Sequence, residues 1–370
     1  MWLYYGLIIY IISMAGFIYL DGANDRRDKI YLLFTMGLFL VLSALRSEYV
    51  GNDTDNYIYL FNEVKFNGIN TLTERYEFGY LLMNDIISKI SSNPQAILIV
   101  TSIFIFIGHS KFIFKYSENK WLSVYMFFTL IYFGFSMSGI RQAIAIVILF
   151  VAYGYMIDNK KIKFLISVIV ATMFHNTAIL FIIAYPISKL KCNKKTILLV
   201  TMFTIIFYFI FPVILKLSMS VFPRFNYYLG SEYFNGQVRS SSILNLIIFL
   251  SIFIFSSCIK YNHRESVNLS KLNMSQDKIE KCRNSEMMLL LTSISIMFLS
   301  LKLNILDRVA MYFHIYCIII LPNSINMIKN KNYRIVIIIG IIYFLFIYST
   351  TIKIIRPEWQ SIFPYTFYWI

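Results

Sequence analysis

The sequence predicts an all-α polytopic membrane protein, and two observations carry that reading. Hydrophobic residues make up 58% of the 370-residue chain and charged residues 14%, with a mean hydropathy of +0.65. Soluble domains carry about 25% charged residues. The second observation is recurrence. Apolar stretches of crossing length, about 20 residues for a hydrocarbon core of roughly 30 Å, appear at 2–20, 30–45, 95–114, 121–137, 139–157, 196–219, 242–259, 286–302, 309–328 and 333–352. With a broken segment at 164–190 they amount to roughly 10–12 transmembrane helices. They form one integral membrane domain over 1–370, with outer loops 46–94 and 220–241 and a cytoplasmic loop 260–286.

Lysine and arginine in short loops set the orientation of such a chain. No basic residue precedes the first stretch and its charges, Asp21 to Lys29, follow it, so it reads as an uncleaved span and not a signal peptide. Arg26, Arg27 and Lys29 place the next loop inside, and "RSEYVGNDTDNYIYLF" (46–61) then lies outside. In "EFGYLLMNDIISKIS" (77–91), Phe78, Leu81, Leu82, Ile86 and Ile90 share a helical face, which predicts a helix lying flat on the outer surface. Stretch 95–114 returns to Lys111, Lys115 and Lys120, 121–137 goes out, and 139–157 comes back to Lys160, Lys161 and Lys163. A single tilted span over 164–187 would put Lys189, Lys191, Lys194 and Lys195 outside and invert every later loop. A hairpin broken at His175-Asn176 keeps them inside. Irregular backbone at membrane depth is tolerated where protein buries it or where it lines a cavity.

The net charge of +15 does not indicate nucleic acid, because the basic residues are spread over short loops where cytoplasmic lysine is expected. Cys192, Cys258, Cys282 and Cys317 show neither metal-ligand spacing nor a disulfide framework. Nothing matches a nucleotide-sugar site or a glycine-rich phosphate loop, so no metal or other cofactor is expected. Lysine alone would satisfy the orientation rule, yet Arg46, Arg75, Arg141, Arg224, Arg239, Arg308 and Arg356 all fall on the outer side. Guanidinium binds phosphate bidentately and stays charged when partly buried.

The same side carries Asp53, Asp55, Glu77, Arg141-Gln142, His175 and Asp307-Arg308. Ionisable groups at membrane depth are costly and usually functional. Arg141 and Arg308 begin their helices, where a cation opposes the macrodipole and an anionic partner is favoured. Tyr49, Tyr57, Tyr59 and Phe61 interleave with acids and amides, and "RFNYYLGSEYFNG" (224–236), with Arg224 and Tyr227, repeats that composition. Aromatic faces with carboxylates and amides suit sugar rings, so the outer side reads as a site for a lipid-linked oligosaccharide. Arg46, Asp55, Tyr57, Tyr80, Gln142, Arg224, Tyr227 and Arg239 are its candidate substrate contacts.

These residues also carry a resemblance. Arg46…Gly51-x-Asp53…Tyr57…Phe61, "EFGY" (77–80), "RQAIA" (141–145), "ATMFHNTA" (171–178) and Arg308…Tyr312-Phe313 resemble, in that order, the EpsG family of Wzy-type polysaccharide polymerases. In "NDTDN" two acids compete for the family's aspartate, and Asp53 is the better match. The resemblance implies a GT-C-like glycosyltransferase in the bacterial inner membrane, metal-independent, with its site facing the periplasm or exterior. It would move a growing glycan from undecaprenyl diphosphate onto a new lipid-linked repeat unit, making O-antigen, capsule or exopolysaccharide. A flippase and a chain-length regulator would be its partners. Arg141 and Arg308, helped by Arg46, would neutralise the departing diphosphate, and Asp53, Glu77 or His175 would accept the acceptor's proton. A lipid-linked glycan ligase would use the same clamp. A transporter of lipid-linked oligosaccharide is the non-enzyme alternative.

Overall fold

The computed structural model describes residues 2–70, 72–221, 238–262, 272, 274–356 and 358–369. Among them every regular element is a helix, apart from one isolated antiparallel bridge between Arg46 and Phe367. The protein is an all-helical, multi-pass membrane protein. Its contacts divide into two compact units. The first comprises Met1–Ile179, Ser270–Leu272 and Ile328–Ile370, and the second Leu180–Leu269 and Asn273–Met327. The first begins with α1 (Trp2–Ile18), α2 (Asp25–Ala44), α3 (Thr54–Asn67), α4 (Phe78–Ile90), α5 (Gln95–Tyr116), α6 (Lys120–Thr129), α7 (Tyr132–Ser138), α8 (Ile140–Ile157) and α9 (Lys161–Thr172). The second holds α10 (Ala184–Ser188), α11 (Lys194–Val221), α12 (Ser240–Asn262), α13 (Gln276–Ser300), α14 (Leu306–His314) and α15 (Cys317–Asn326). The chain then rejoins the first with α16 (Lys331–Ile355).

Among the described residues six helices are long and apolar enough to cross a membrane, or seven if the bent pair α6 and α7 makes one span. That is fewer than the sequence stretches predict, for local reasons. α1 stops at 17 residues. α2 opens on Asp25, Arg26, Arg27, Asp28 and Lys29, and the stretch at 286–302 is the far end of α13, whose first three turns are polar. α6 and α7 meet at 57° around Ile131, a β-branched residue held at φ 69°, where such side chains are strained.

The first unit has two chemically distinct ends. At one, Lys120 Nζ lies 3.0 Å from Asp28, and Tyr19 donates its hydroxyl to the same carboxylate at 2.8 Å. This joins the basic loops on either side of α2 and α5. At the other, Gln95 Nε2 donates to Ala44 O at 2.6 Å and to Arg46 O at 3.1 Å. Between the ends runs an aromatic core in which Phe39 lies 4.6 Å from Phe133 and 5.6 Å from Phe128, ring centre to ring centre. His109, buried there beside Phe127 and Phe150, sits 2.9 Å from Ile105 O and belongs to the core.

Residues 358–369 lace across the second end. Thr366 O accepts from Ser47 N at 3.0 Å, Leu45 O from Tyr368 N at 3.0 Å, and Ser361 O from Gly51 N at 2.9 Å. Gln360 O accepts from Ser138 Oγ at 3.0 Å, and the Tyr365 hydroxyl donates to Leu42 O at 2.6 Å.

Segment 164–190 is broken near the predicted point. α9 ends at Thr172, a turn follows, and a 3-10 stretch covers Asn176–Ile183 before α10. At 12 residues, α9 reaches about 18 Å, short of a crossing. In the second unit Asn284 receives Cys192 N and donates to Leu190 O, each at 2.8 Å, which pins loop 189–193 to the polar end of α13. A cysteine at position 193, placed by Asn193→Cys in a chain without its four native cysteines, should resist a membrane-impermeant thiol reagent added from outside. Labelling from outside would rule out a hairpin with both ends cytoplasmic.

Candidate active site

Glu77 immediately precedes α4 and is the centre of the arrangement. Its side chain is buried, and Oε2 accepts from Arg141 Nη1 in a close ion pair. Oε1 lies 3.3 Å from His175 Nδ1 and accepts from the backbone N–H of Asn176 at 3.2 Å. Residues 64 and 99 positions apart thus meet on one carboxylate. Asp53 is the residue just before α3, half-buried.

A glycine makes the meeting possible. Gly79 N donates to Met173 O at 2.8 Å, and a Cβ on Gly79 would stand 2.8 Å from that oxygen and 2.9 Å from Met173 Cβ. Only a bare backbone approaches so closely. The "EFGY" and "ATMFHNTA" motifs are therefore two halves of one contact: the start of α4 presses on the turn that ends α9, and Glu77 faces His175. Gly79→Ala should cost about 1–3 kcal/mol through overpacking. A detergent-solubilised variant that melts like wild type would refute this contact.

Arg141 is the second residue of α8. Its guanidinium lies over the Tyr76 ring, 5.3 Å from the centroid, a cation–π arrangement. Its Nε is buried without a hydrogen-bond partner among the described residues. Tyr57, which donates to Ser138 O at 3.4 Å, meets Tyr80 edge-on at 5.7 Å and also interacts with Arg141. Burial pushes the Glu77 carboxyl up, but the His175 contact and the Arg141 charge outweigh it and hold the pKa down at about 2. Glu77 is thus a fixed anion. Tyr76 and Gly79 are the contributors that residue chemistry alone overlooked, although Gly79 lies inside the "EFGY" motif and Tyr76 adjoins it.

The other predicted residues have different settings. Arg46 is fully buried. Its Nη1 donates to Ser43 O and, at 3.1 Å, to Ser43 Oγ, while Nε reaches Thr54 Oγ1 at 3.3 Å and Nη2 reaches Met137 O at 3.1 Å. Arg46 ties the end of α2 to α3 and α7, a structural employment in place of the expected phosphate contact. Tyr57, Tyr80 and Gln142 are buried as well, so the two tyrosines back the arginine and do not form an open sugar platform. Tyr49 and Tyr59 are the exposed rings of that stretch. In the second unit Asp307 accepts from Ser242 Oγ at 2.7 Å and Ser300 Oγ at 2.5 Å, with Arg239 as an electrostatic neighbour. Arg308, one residue on, is exposed. Arg224 and Tyr227 lie outside the described residues.

Asp53 and Asp55 separate in the structure because the chain turns helical at Thr54. Gly51, at φ 96°, makes the turn. Asp53 then sits half-buried just before α3, whereas Asp55 is exposed and accepts the N–H of Asn56 at 2.8 Å. Asp53→Asn should therefore lower the melting temperature more than Asp55→Asn, which should stay within about 0.5 kcal/mol of wild type, as for most surface changes. Equal shifts from the two would mean that the difference in burial carries no energy.

The chain matches no curated protein and no solved structure. The family model described as the EpsG family, however, matches residues 29–367. With nearly its whole length covered, and with Glu77, Arg141 and His175 all inside the match, the chain belongs to the EpsG family.

Proposed function

We propose that this protein is a polysaccharide polymerase-like membrane glycosyltransferase that extends a glycan carried on a lipid diphosphate such as undecaprenyl diphosphate. The observation that carries the reading is the convergence of Arg141, Glu77 and His175 at the end of the first unit away from the Asp28–Lys120 pair. By the positive-inside rule the basic end is cytoplasmic, so the cluster faces outward, where lipid-linked repeat units are polymerised.

In this mechanism the acceptor hydroxyl attacks the anomeric carbon of the donor glycan. The bond from that carbon to the diphosphate oxygen breaks, and the diphosphate leaves with the electron pair. Arg141 meets the developing charge with the guanidinium edge not occupied by Glu77, the electrostatic contribution that usually dominates such catalysis. The proton of the acceptor goes to a ring nitrogen of His175. A base works best with a pKa near the operating pH, which a carboxylate held near 2 does not have. Glu77 accordingly orients the imidazole and balances the charge it gains. Asp53 contacts the acceptor glycan.

The test is twofold. Reconstituted with lipid-linked repeat units alone, the protein should build a ladder of polymer. A strain lacking it should display surface glycan only one repeat unit long. Loss of all surface glycan would favour a ligase or a transporter and overturn the proposal.

A further inference from the structure

We infer that the outward apolar stripe of α4 (Phe78, Leu82, Ile86 and Ile90) is the track on which the hydrocarbon chain of the lipid donor lies. The inference rests on the transfer reaction proposed above. The inner face of α4 is filled by Tyr80, Leu81, Asn84 and Ile87, all buried, which also moves Leu81 off the face predicted from its spacing. The stripe residues are 49%, 37%, 50% and 81% exposed. They recur every fourth position, so they follow one another along one side of the helix. From Phe78 to Ile90 the stripe runs about 18 Å. The charges beside it, Asp85 and Lys89, neutralise each other at 2.6 Å.

What selects the occupant is where the stripe begins. Phe78 follows Glu77, the residue whose carboxylate pairs with Arg141, so the apolar track starts one residue from the partner of the cation. A lipid diphosphate has the same junction: an anionic head joined directly to a long apolar chain. A helix needed only to rest in the bilayer could carry its apolar face in any register. This one is aligned so that a diphosphate at Arg141 would lead its own tail onto Phe78 and then Leu82.

The experiment uses the full chain reconstituted with two donors bearing the same repeat unit, one on a long polyprenyl diphosphate and one on a short, water-soluble prenyl diphosphate. Leu82→Ser combined with Ile86→Ser changes exposed positions outside the cluster. The KM for the long-chain donor should rise about tenfold with kcat little changed, and short-chain kinetics should stay as in wild type. Leu82→Met with Ile86→Met, which keeps the surface apolar, should restore the long-chain KM. Equal losses with both donors would mean that the stripe only anchors α4 to the bilayer. No change with either would mean that the tail lies elsewhere, and both results overturn the inference. Wild-type protein that turns over neither donor would overturn the transfer reaction itself.

Discussion

Arg141→Lys is expected to abolish polymer formation almost as completely as Arg141→Ala, about 10²–10³-fold by analogy with the loss of one oxyanion donor. The substitution keeps the charge, so a result that depended on charge alone would spare it. Arg141, however, does two things at once that need a flat, forked cation. It donates to Glu77 through Nη1 and lies over the Tyr76 ring. A lysine ammonium is a compact point charge with no plane to stack and no fork to share between a carboxylate and a phosphate. The measurement is the polymerisation rate in reconstituted membranes, alongside the melting temperature of each variant. A lysine variant running at wild-type rate would remove the bidentate role.

Glu77→Gln should have the other large effect, on stability as well as activity. It removes the one anion that Arg141 and His175 both face, and breaking a buried ion pair from one side costs about 3–5 kcal/mol. Arg141 keeps a quarter of its side chain exposed, so the lower end of that range applies. The pH dependence follows from the depressed carboxyl. Its charged form is favoured by folding, so the stabilisation is complete above the ordinary carboxylate value of 4.5 and is lost as pH falls from there through about 2. Wild-type protein in detergent should lose melting temperature over that acid window. Glu77→Gln should begin lower and show less of the slope. Parallel acid profiles would mean that the carboxylate is not held by its two neighbours.

Hydropathy made the helical membrane class legible, but it could not distinguish protein from lipid as the surroundings of a helix. α8 and α11 both pass as strongly apolar. The crossing window of α8 is 72% buried and that of α11 only 6%. The same ambiguity hid Arg46, whose position at the mouth of a helix looked like a phosphate contact until its donors proved to be taken by Ser43, Thr54 and Met137. Chemistry at the site was more readable. Glu77, Arg141 and His175 each stand in a short motif that residue chemistry picks out singly. Their convergence on Glu77 depends on the Gly79 backbone meeting Met173, a tertiary contact with no periodicity to announce it. The two aspartates of "NDTDN" differ in burial because the helix begins at Thr54, between them.

The lacing of residues 358–369 across the Arg46 end has a consequence for the timing of biosynthesis. The helices that carry Glu77, Arg141 and His175 are synthesised by residue 179, yet Ser361 and Thr366, whose carbonyls secure Gly51 and Ser47, lie near the other end of the chain. At about 5–20 residues per second, the ribosome needs roughly 10–40 s to make the residues between. Throughout that interval the first helices sit in the membrane with the Ser47 and Gly51 amides waiting for their partners. The Arg46 end of the first unit is thus completed late, after the residues of the second unit have been made.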